Sequence, residues 1–231
     1  MEHAQSRTVR IPVQSPRGEA LLAGDLVLPA GSAAIVVFAH GSGSSRLSPR
    51  NQQVARYLQE GGLGTLLFDL LTSEEESADM RTGHLRFDIP FLAARLVAVT
   101  DWLAEQPETS GHRPGYFGAS TGAAAALVGA AERPGVVGAV VSRGGRPDLA
   151  MQALPSVEAP TLLIVGGADH AVIPLNERAY GRLRCEKRLE IVRGASHLFE
   201  EPGTLDEVSR LALGWFKEYL DTPEPGPRRT P

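Results

Sequence analysis

The sequence predicts a three-layer α/β fold, a mostly parallel eight-stranded sheet with helices on both faces and no cap domain. Short, continuously apolar runs such as residues 33–39 and 161–165 alternate with segments of helical periodicity. Strands apolar throughout are buried on both faces, which is how helices cover a parallel sheet. The apolar runs also end in glycine-rich loops, and one of them passes directly into a helix through Gly118-Ala119-Ser120-Thr121-Gly122.

The elements follow in order. Residues 8–13 alternate as a half-exposed strand, break at Ser15-Pro16-Arg17-Gly18 and resume over 20–28, an antiparallel edge hairpin. The buried strand 33–39 ends in His40-Gly41-Ser42-Gly43-Ser44-Ser45, and Val54, Tyr57 and Leu58 recur at helical spacing over 49–59. Gly61-Gly62 stops that helix before the next strand, 64–69. Residues 72–83, with Glu74-Glu75-Glu76, read as a solvated loop. An amphipathic helix over 87–105 carries Phe91, Leu92, Leu96, Val99 and Leu103 on one side.

After the 116–127 strand and helix come strands at 136–141 and 161–165, a helix at 174–183, a last strand at 189–192 and a closing amphipathic helix at 205–220. The interval 142–160 is too short for an inserted cap. Right-handed crossovers join the parallel strands. Residues 1–220 are expected to form one domain, with 221–231 a disordered, proline-rich tail.

Composition narrows the chemistry. The chain has 231 residues, 22% of them charged, and a formal net charge of −4, which excludes a basic nucleic-acid footprint and a polybasic membrane surface. A small-molecule substrate is the expected partner, and oligomeric state is not legible. One cysteine, Cys185, precludes an internal disulfide and fits a reducing compartment. No secretory h-region and no membrane-length apolar run is visible, so the expected location is cytoplasmic.

The pentapeptide around Ser120 is the G-x-S-x-G elbow, in which a serine is thrust out of a strained turn and glycines on either side let neighbouring backbone approach. With 25 glycines and 15 serines in the chain, about 0.2 such matches arise by chance, so context must decide. A serine hydroxyl needs a base to take its proton and a carboxylate to hold that base. Asp169 follows strand 161–165 and His197 follows the last strand, which gives the chain order Ser, Asp, His. Taken singly, Asp169 reads as a turn residue, His197 as a surface histidine and Ser120 as a packed elbow. All three lie where α/β sheets bind ligands, at the carboxyl ends of strands.

His170 adjoins Asp169 and comes from the same loop; His3, His84 and His112 read as solvent-exposed. An oxyanion hole needs two donors, and the backbone amides of Ser42 and Thr121 are the candidates. The loop at 40–45 has neither G-x-G-x-x-G nor a Walker lysine, which argues against phosphate cradling. Arg143 and Arg146 follow a strand that should end near the site, where they could hold an anionic substrate group or simply be structural. No cluster has metal-ligand spacing, and no cofactor is expected.

The ordered set His40-Gly41, Gly118-x-Ser120-x-Gly122, Asp169 and His197 resembles the α/β-hydrolase family. The cap-free layout is similar to its dienelactone-hydrolase-like branch, over about residues 8–220. The resemblance implies Ser120 as nucleophile, Asp169 as acid, His197 as base and Ser42 and Thr121 as oxyanion amides. Dienelactone hydrolases carry cysteine at the nucleophile, so Ser120 implies a serine carboxylesterase. Thioesterase, lactonase, amidase and acyltransferase activities use the same residues, and a non-catalytic binding protein of this fold is the rival outside the enzymes. Similar domains occur joined to phosphoribosyltransferase domains, of which no segment is expected here.

Overall fold

The computed structural model of the protein describes residues 5–15 and 18–221. His3, residues 16–17 and residues 222–231, on which part of the expected hairpin break and most of the expected tail fall, lie outside the described residues. Eight strands form one sheet: β1 (Gln5–Ser15), β2 (Gly18–Leu28), β3 (Ala34–Ala39), β4 (Gly64–Phe68), β5 (Arg113–Ala119), β6 (Ala139–Arg143), β7 (Thr161–Gly166) and β8 (Lys187–Val192). Their spatial order is β1-β2-β4-β3-β5-β6-β7-β8. The β1–β2 hairpin adds to β4 antiparallel, and every pairing from β4 across to β8 is parallel. Residues of β3, β4 and β6 are buried along their whole length, as strands covered on both sides must be.

The helices are α1 (Pro49–Glu60), α2 (Ser73–Thr82), α3 (Ile89–Glu105), α4 (Thr121–Glu132), α5 (Ile173–Arg182) and α6 (Thr204–Leu220). α1 and α6 cover one face, where Val54 and Leu58 join Val208, Ala212 and Phe216. α3, α4 and α5 cover the other, through Leu96, Val99, Ala124, Leu127 and Ala179. The stripe expected on α3, Phe91, Leu92, Leu96, Val99 and Leu103, is buried throughout. Asp88 caps this helix by accepting from the Phe91 N–H at 3.1 Å. No helix among the described residues is long and apolar enough to cross a membrane.

Three local expectations need correction. Residues 72–83, expected as a loop, contain helix α2. Its apolar pattern is weak, but Thr72 and Glu75 form a reciprocal capping box and Gly83 closes the other end at φ 66. Strand 136–141 begins later, at Ala139, because the amides of Val136 and Val137 still turn back onto the Arg133 carbonyl, and Val136 is exposed. His112 is half-buried, with Nε2 3.2 Å from the Ser32 Oγ, where the connections entering β3 and β5 meet.

Two buried polar groups tie the sheet's carboxyl end together. Arg95 of α3 is 1% exposed and donates to both Glu75 oxygens, at 2.6 and 2.7 Å, and to the Leu70 carbonyl at 2.9 Å. This anchors α2 over the loop after β4. His40, at the end of β3, is also buried. Its Nε2 accepts from the Leu70 N–H at 3.0 Å, which leaves the Nδ1 proton to donate to the Gly41 carbonyl at 3.0 Å. Burial lowers its pKa below 6.5, against smaller raising effects of Gly41, Asp69 and Glu76.

Removing one partner of a buried ion pair strands the other. Glu75→Ala is therefore expected to cost about 3 kcal/mol in urea unfolding, and a change under about 0.5 kcal/mol would contradict the anchoring role. The His40 shift sets a pH dependence. The unfolded chain takes up this proton near 6.5 and the folded chain only at lower pH, so the stabilisation is full above 6.5 and lost as pH falls through the folded pKa. Urea midpoints measured between pH 8 and pH 5 should fall more steeply for the wild type than for His40→Gln; parallel curves would contradict the assignment.

Candidate active site

β5 runs up the middle of the sheet and ends in Ser120, whose backbone sits at φ 51, ψ −119. That is a costly conformation for a residue with a Cβ, and the surroundings hold it. Its N–H donates to the Arg143 carbonyl at 3.2 Å, and its carbonyl accepts from Ala123 and Arg146 at 3.1 and 3.0 Å. The flanking glycines are sterically required: a Cβ on Gly118 would lie 2.4 Å from the Ala123 Cα, and one on Gly122 would lie 2.1 Å from the Ala39 carbonyl oxygen. The alanine run 123–126 is fully buried and lets α4 pack closely behind the turn.

Asp169 and His197 arrive from separate loops and meet. The imidazole Nδ1 lies 2.6 Å from Asp169 Oδ2, and the side chains are 38% and 10% exposed respectively. With a carboxylate accepting from Nδ1–H, the remaining nitrogen, Nε2, carries the lone pair and is an acceptor. The Glu201 carboxylate accepts from the Ser196 N–H at 3.0 Å and Phe199 turns the chain at φ 56, which together shape the His197 loop. This loop and Ser120 flank the same strand end: the Ser120 amide bonds Arg143, while a Cβ on Gly144 would lie 3.6 Å from the His197 ring.

The loop after β3 closes the third side, with the place of a Gly41 Cβ 3.1 Å from the Ser120 Cβ. As the first helical residue of α4, Thr121 has an amide with no intrahelical partner. The Ser42 amide donates to the Thr121 Oγ1 at 2.9 Å. A cleft opens beside these two residues, lined further by Asp69, Asp79, Arg86 and Leu92. It stops short of Ser120 and His197, so it flanks the serine rather than containing it. Asp69 is paired with Arg46, and Asp79 holds the Arg86 Nε at 2.6 Å.

Arg143 is 5% exposed; its Nη2 donates to the Asn51 Oδ1 at 3.0 Å, and its guanidinium lies 5.9 Å from the Phe199 ring centre. Burial, with Arg50 nearby, pushes its pKa down to about 10. Arg146 makes a bidentate pair with Asp148, 2.8 Å on each arm. His170 and His84 are exposed. Asn51 and Phe199 carried no sequence signal, because their partners lie far along the chain. Among the described residues, no group of three or more His, Cys, Asp or Glu side chains is placed to hold a metal ion. A hydroxyl at a strained turn, a carboxylate-held imidazole and amides at a helix start can support nucleophilic acyl transfer.

The chain is 61% identical to a dienelactone hydrolase from Anabaena variabilis whose crystal structure covers 95% of this chain and 100% of that one, with a TM-score of 0.91. An esterase of Pyrococcus furiosus shares the fold at 17% identity, covering 93% of this chain and 92% of that one at a TM-score of 0.75. A Mycobacterium tuberculosis protein named "Putative phosphoribosyl transferase" is 56% identical over 213 residues, which is 92% of this chain and 47% of that protein. The chain thus spans about half the length of the curated relatives it matches. The dienelactone hydrolase family model matches residues 22–214, and with its eight-stranded sheet of the α/β-hydrolase fold the chain belongs to the dienelactone hydrolase family.

Proposed function

We propose that the protein is a cofactor-free serine hydrolase that cleaves small carboxylic esters. The observation that carries this reading is the 2.6 Å bond between His197 and Asp169 at the strand end where Ser120 emerges. Ser120 Oγ attacks the ester carbonyl carbon, and its proton passes to His197 Nε2. The tetrahedral intermediate collapses, the leaving alcohol takes that proton, and an acyl-enzyme remains on Ser120. Water, deprotonated by the same imidazole, then releases the acid. Asp169 keeps the imidazole in the required tautomer and stabilises its charged form.

A lactone is an ester closed on itself, and the 61% identical structure is that of a dienelactone hydrolase, so lactones form the second substrate class to test. Here the nucleophile is an oxygen. It therefore needs the imidazole for every turnover, whereas a thiol ionises more readily. An anion-holding role for Arg143 or Arg146 would require the guanidinium to share or leave its present partner, Asn51 or Asp148. The transferase name of the tuberculosis relative belongs to a protein about twice as long as this chain.

Ser120→Ala should lower hydrolysis of p-nitrophenyl acetate by about 10⁴-fold to 10⁶-fold with the thermal midpoint little changed; unaltered turnover would refute the reading. Arg146→Ala should reduce kcat/KM on acidic esters more than on neutral ones if the arginine holds an anion, and equal values on both would remove that role.

A further inference from the structure

The Ser42–Thr121 bond changes the expected oxyanion hole. Of the two backbone amides expected to face the oxyanion, that of Ser42 is taken up by a side-chain hydroxyl. Thr121 is 3% exposed, and its Oγ1 accepts from the Ser42 N–H at 2.9 Å. A threonine hydroxyl has one proton to donate, and this one finds no acceptor among the described residues. The loop carrying Ser42 abuts the serine, with the place of a Gly41 Cβ 3.1 Å from the Ser120 Cβ. Thr121 follows Ser120 directly in the chain, so this hydroxyl, which accepts from the Ser42 amide, belongs to the residue next to the nucleophile and keeps its own proton to give.

From this geometry we infer that the Thr121 side chain is a catalytic oxyanion donor, and that the Ser42 amide acts through it. The inference rests on the serine-hydrolase reading. When the Ser120 Oγ bonds to the carbonyl carbon and His197 takes the serine proton, the carbonyl π electrons move onto oxygen. That oxygen accepts from the Thr121 N–H and from the Thr121 Oγ1–H. The Ser42 N–H, donating to the same Oγ1, polarises the hydroxyl as its proton is shared with the growing negative charge. When the intermediate collapses the charge returns to the carbonyl, and no proton is transferred along this branch. Ser42 becomes a positioning residue whose amide fixes and polarises the hydroxyl.

The arrangement differs chemically from a hole of two amides. A hydroxyl rotates, so this donor can turn toward the oxyanion only as charge develops. Such an interaction is stronger in the transition state than in the ground state, and its loss should appear in kcat rather than KM.

The test compares Thr121→Val, which keeps the shape and the backbone amide, with Thr121→Ser, which keeps the hydroxyl, and Thr121→Ala, which covers the case in which valine fails to fold. Thr121→Val and Thr121→Ala should each lower kcat on p-nitrophenyl acetate by about 10²-fold, with KM within about threefold. Thr121→Ser should restore most of the rate. Affinity for a trifluoromethyl ketone, whose adduct carries a tetrahedral oxyanion, should fall in step with kcat/KM across the series. If Thr121→Val and Thr121→Ala are as active as the wild type or faster, the hydroxyl only masks a directly acting Ser42 amide and the inference is overturned. Ser120→Ala assayed in parallel separates the two levels: loss there with no effect at Thr121 sinks this inference alone, and retained activity in Ser120→Ala sinks the serine-hydrolase reading itself.

Discussion

The backbone of Ser120 is held where a side-chain-bearing residue does not rest by preference, and the architecture around it maintains that strain. A positive φ of 51 at a non-glycine residue costs on the order of 1 to 3 kcal/mol. Three backbone hydrogen bonds, to Arg143, Ala123 and Arg146, hold the turn. Two glycines allow it, since a Cβ at either position would enter the backbone of α4 or of the β3 end. The parallel sheet supplies the frame, with β3 and β6 flanking β5 in register so that the ends of all three strands meet at the serine.

From that fixed point the site is assembled by loops that each carry their own restraint. The histidine loop is tied through Glu201, and its buried Phe199 lies against Arg143 at the end of β6. The loop after β3 is tied through His40, whose pKa burial lowers and whose Nε2 accepts from the loop after β4. That loop is in turn gripped by Arg95, whose pair with Glu75 brings α2 into place. A chain of buried polar contacts thus runs from a helix on the outer layer to the edge of the serine. A buried polar group is costly unless satisfied. Each link therefore favours one loop arrangement over alternatives.

What the sequence displayed and what it hid follow a physical division. Strands such as 33–39 and 161–165, the α3 stripe and the elbow were legible because their signals are local: continuous apolarity, a 3.6-residue period and glycines at fixed offsets. Helix α2 was missed because its evidence is a capping box, Thr72 with Glu75, in a stretch whose three consecutive glutamates suggest solvent. The late start of β6 was missed because Val136 is apolar yet still belongs to the turn leaving α4. The order Ser, Asp, His could be read along the chain, but the 2.6 Å contact of His197 with Asp169 could not. The partners of Arg143 and of the Thr121 hydroxyl are 92 and 79 residues away, and no local pattern encodes such pairings. The polar network of the site was therefore the least legible part, although it supplies most of the proposed chemistry.

The central claim is that imidazole and carboxylate together make the Ser120 hydroxyl nucleophilic in the folded protein. Its most direct measurement is intact-mass and peptide analysis after exposure to a fluorophosphonate, in the wild type and in His197→Ala. One adduct, located on Ser120 and formed at least about a hundredfold more slowly without the imidazole, is the predicted result. No adduct, an adduct elsewhere, or equal rates in the two proteins would contradict the account.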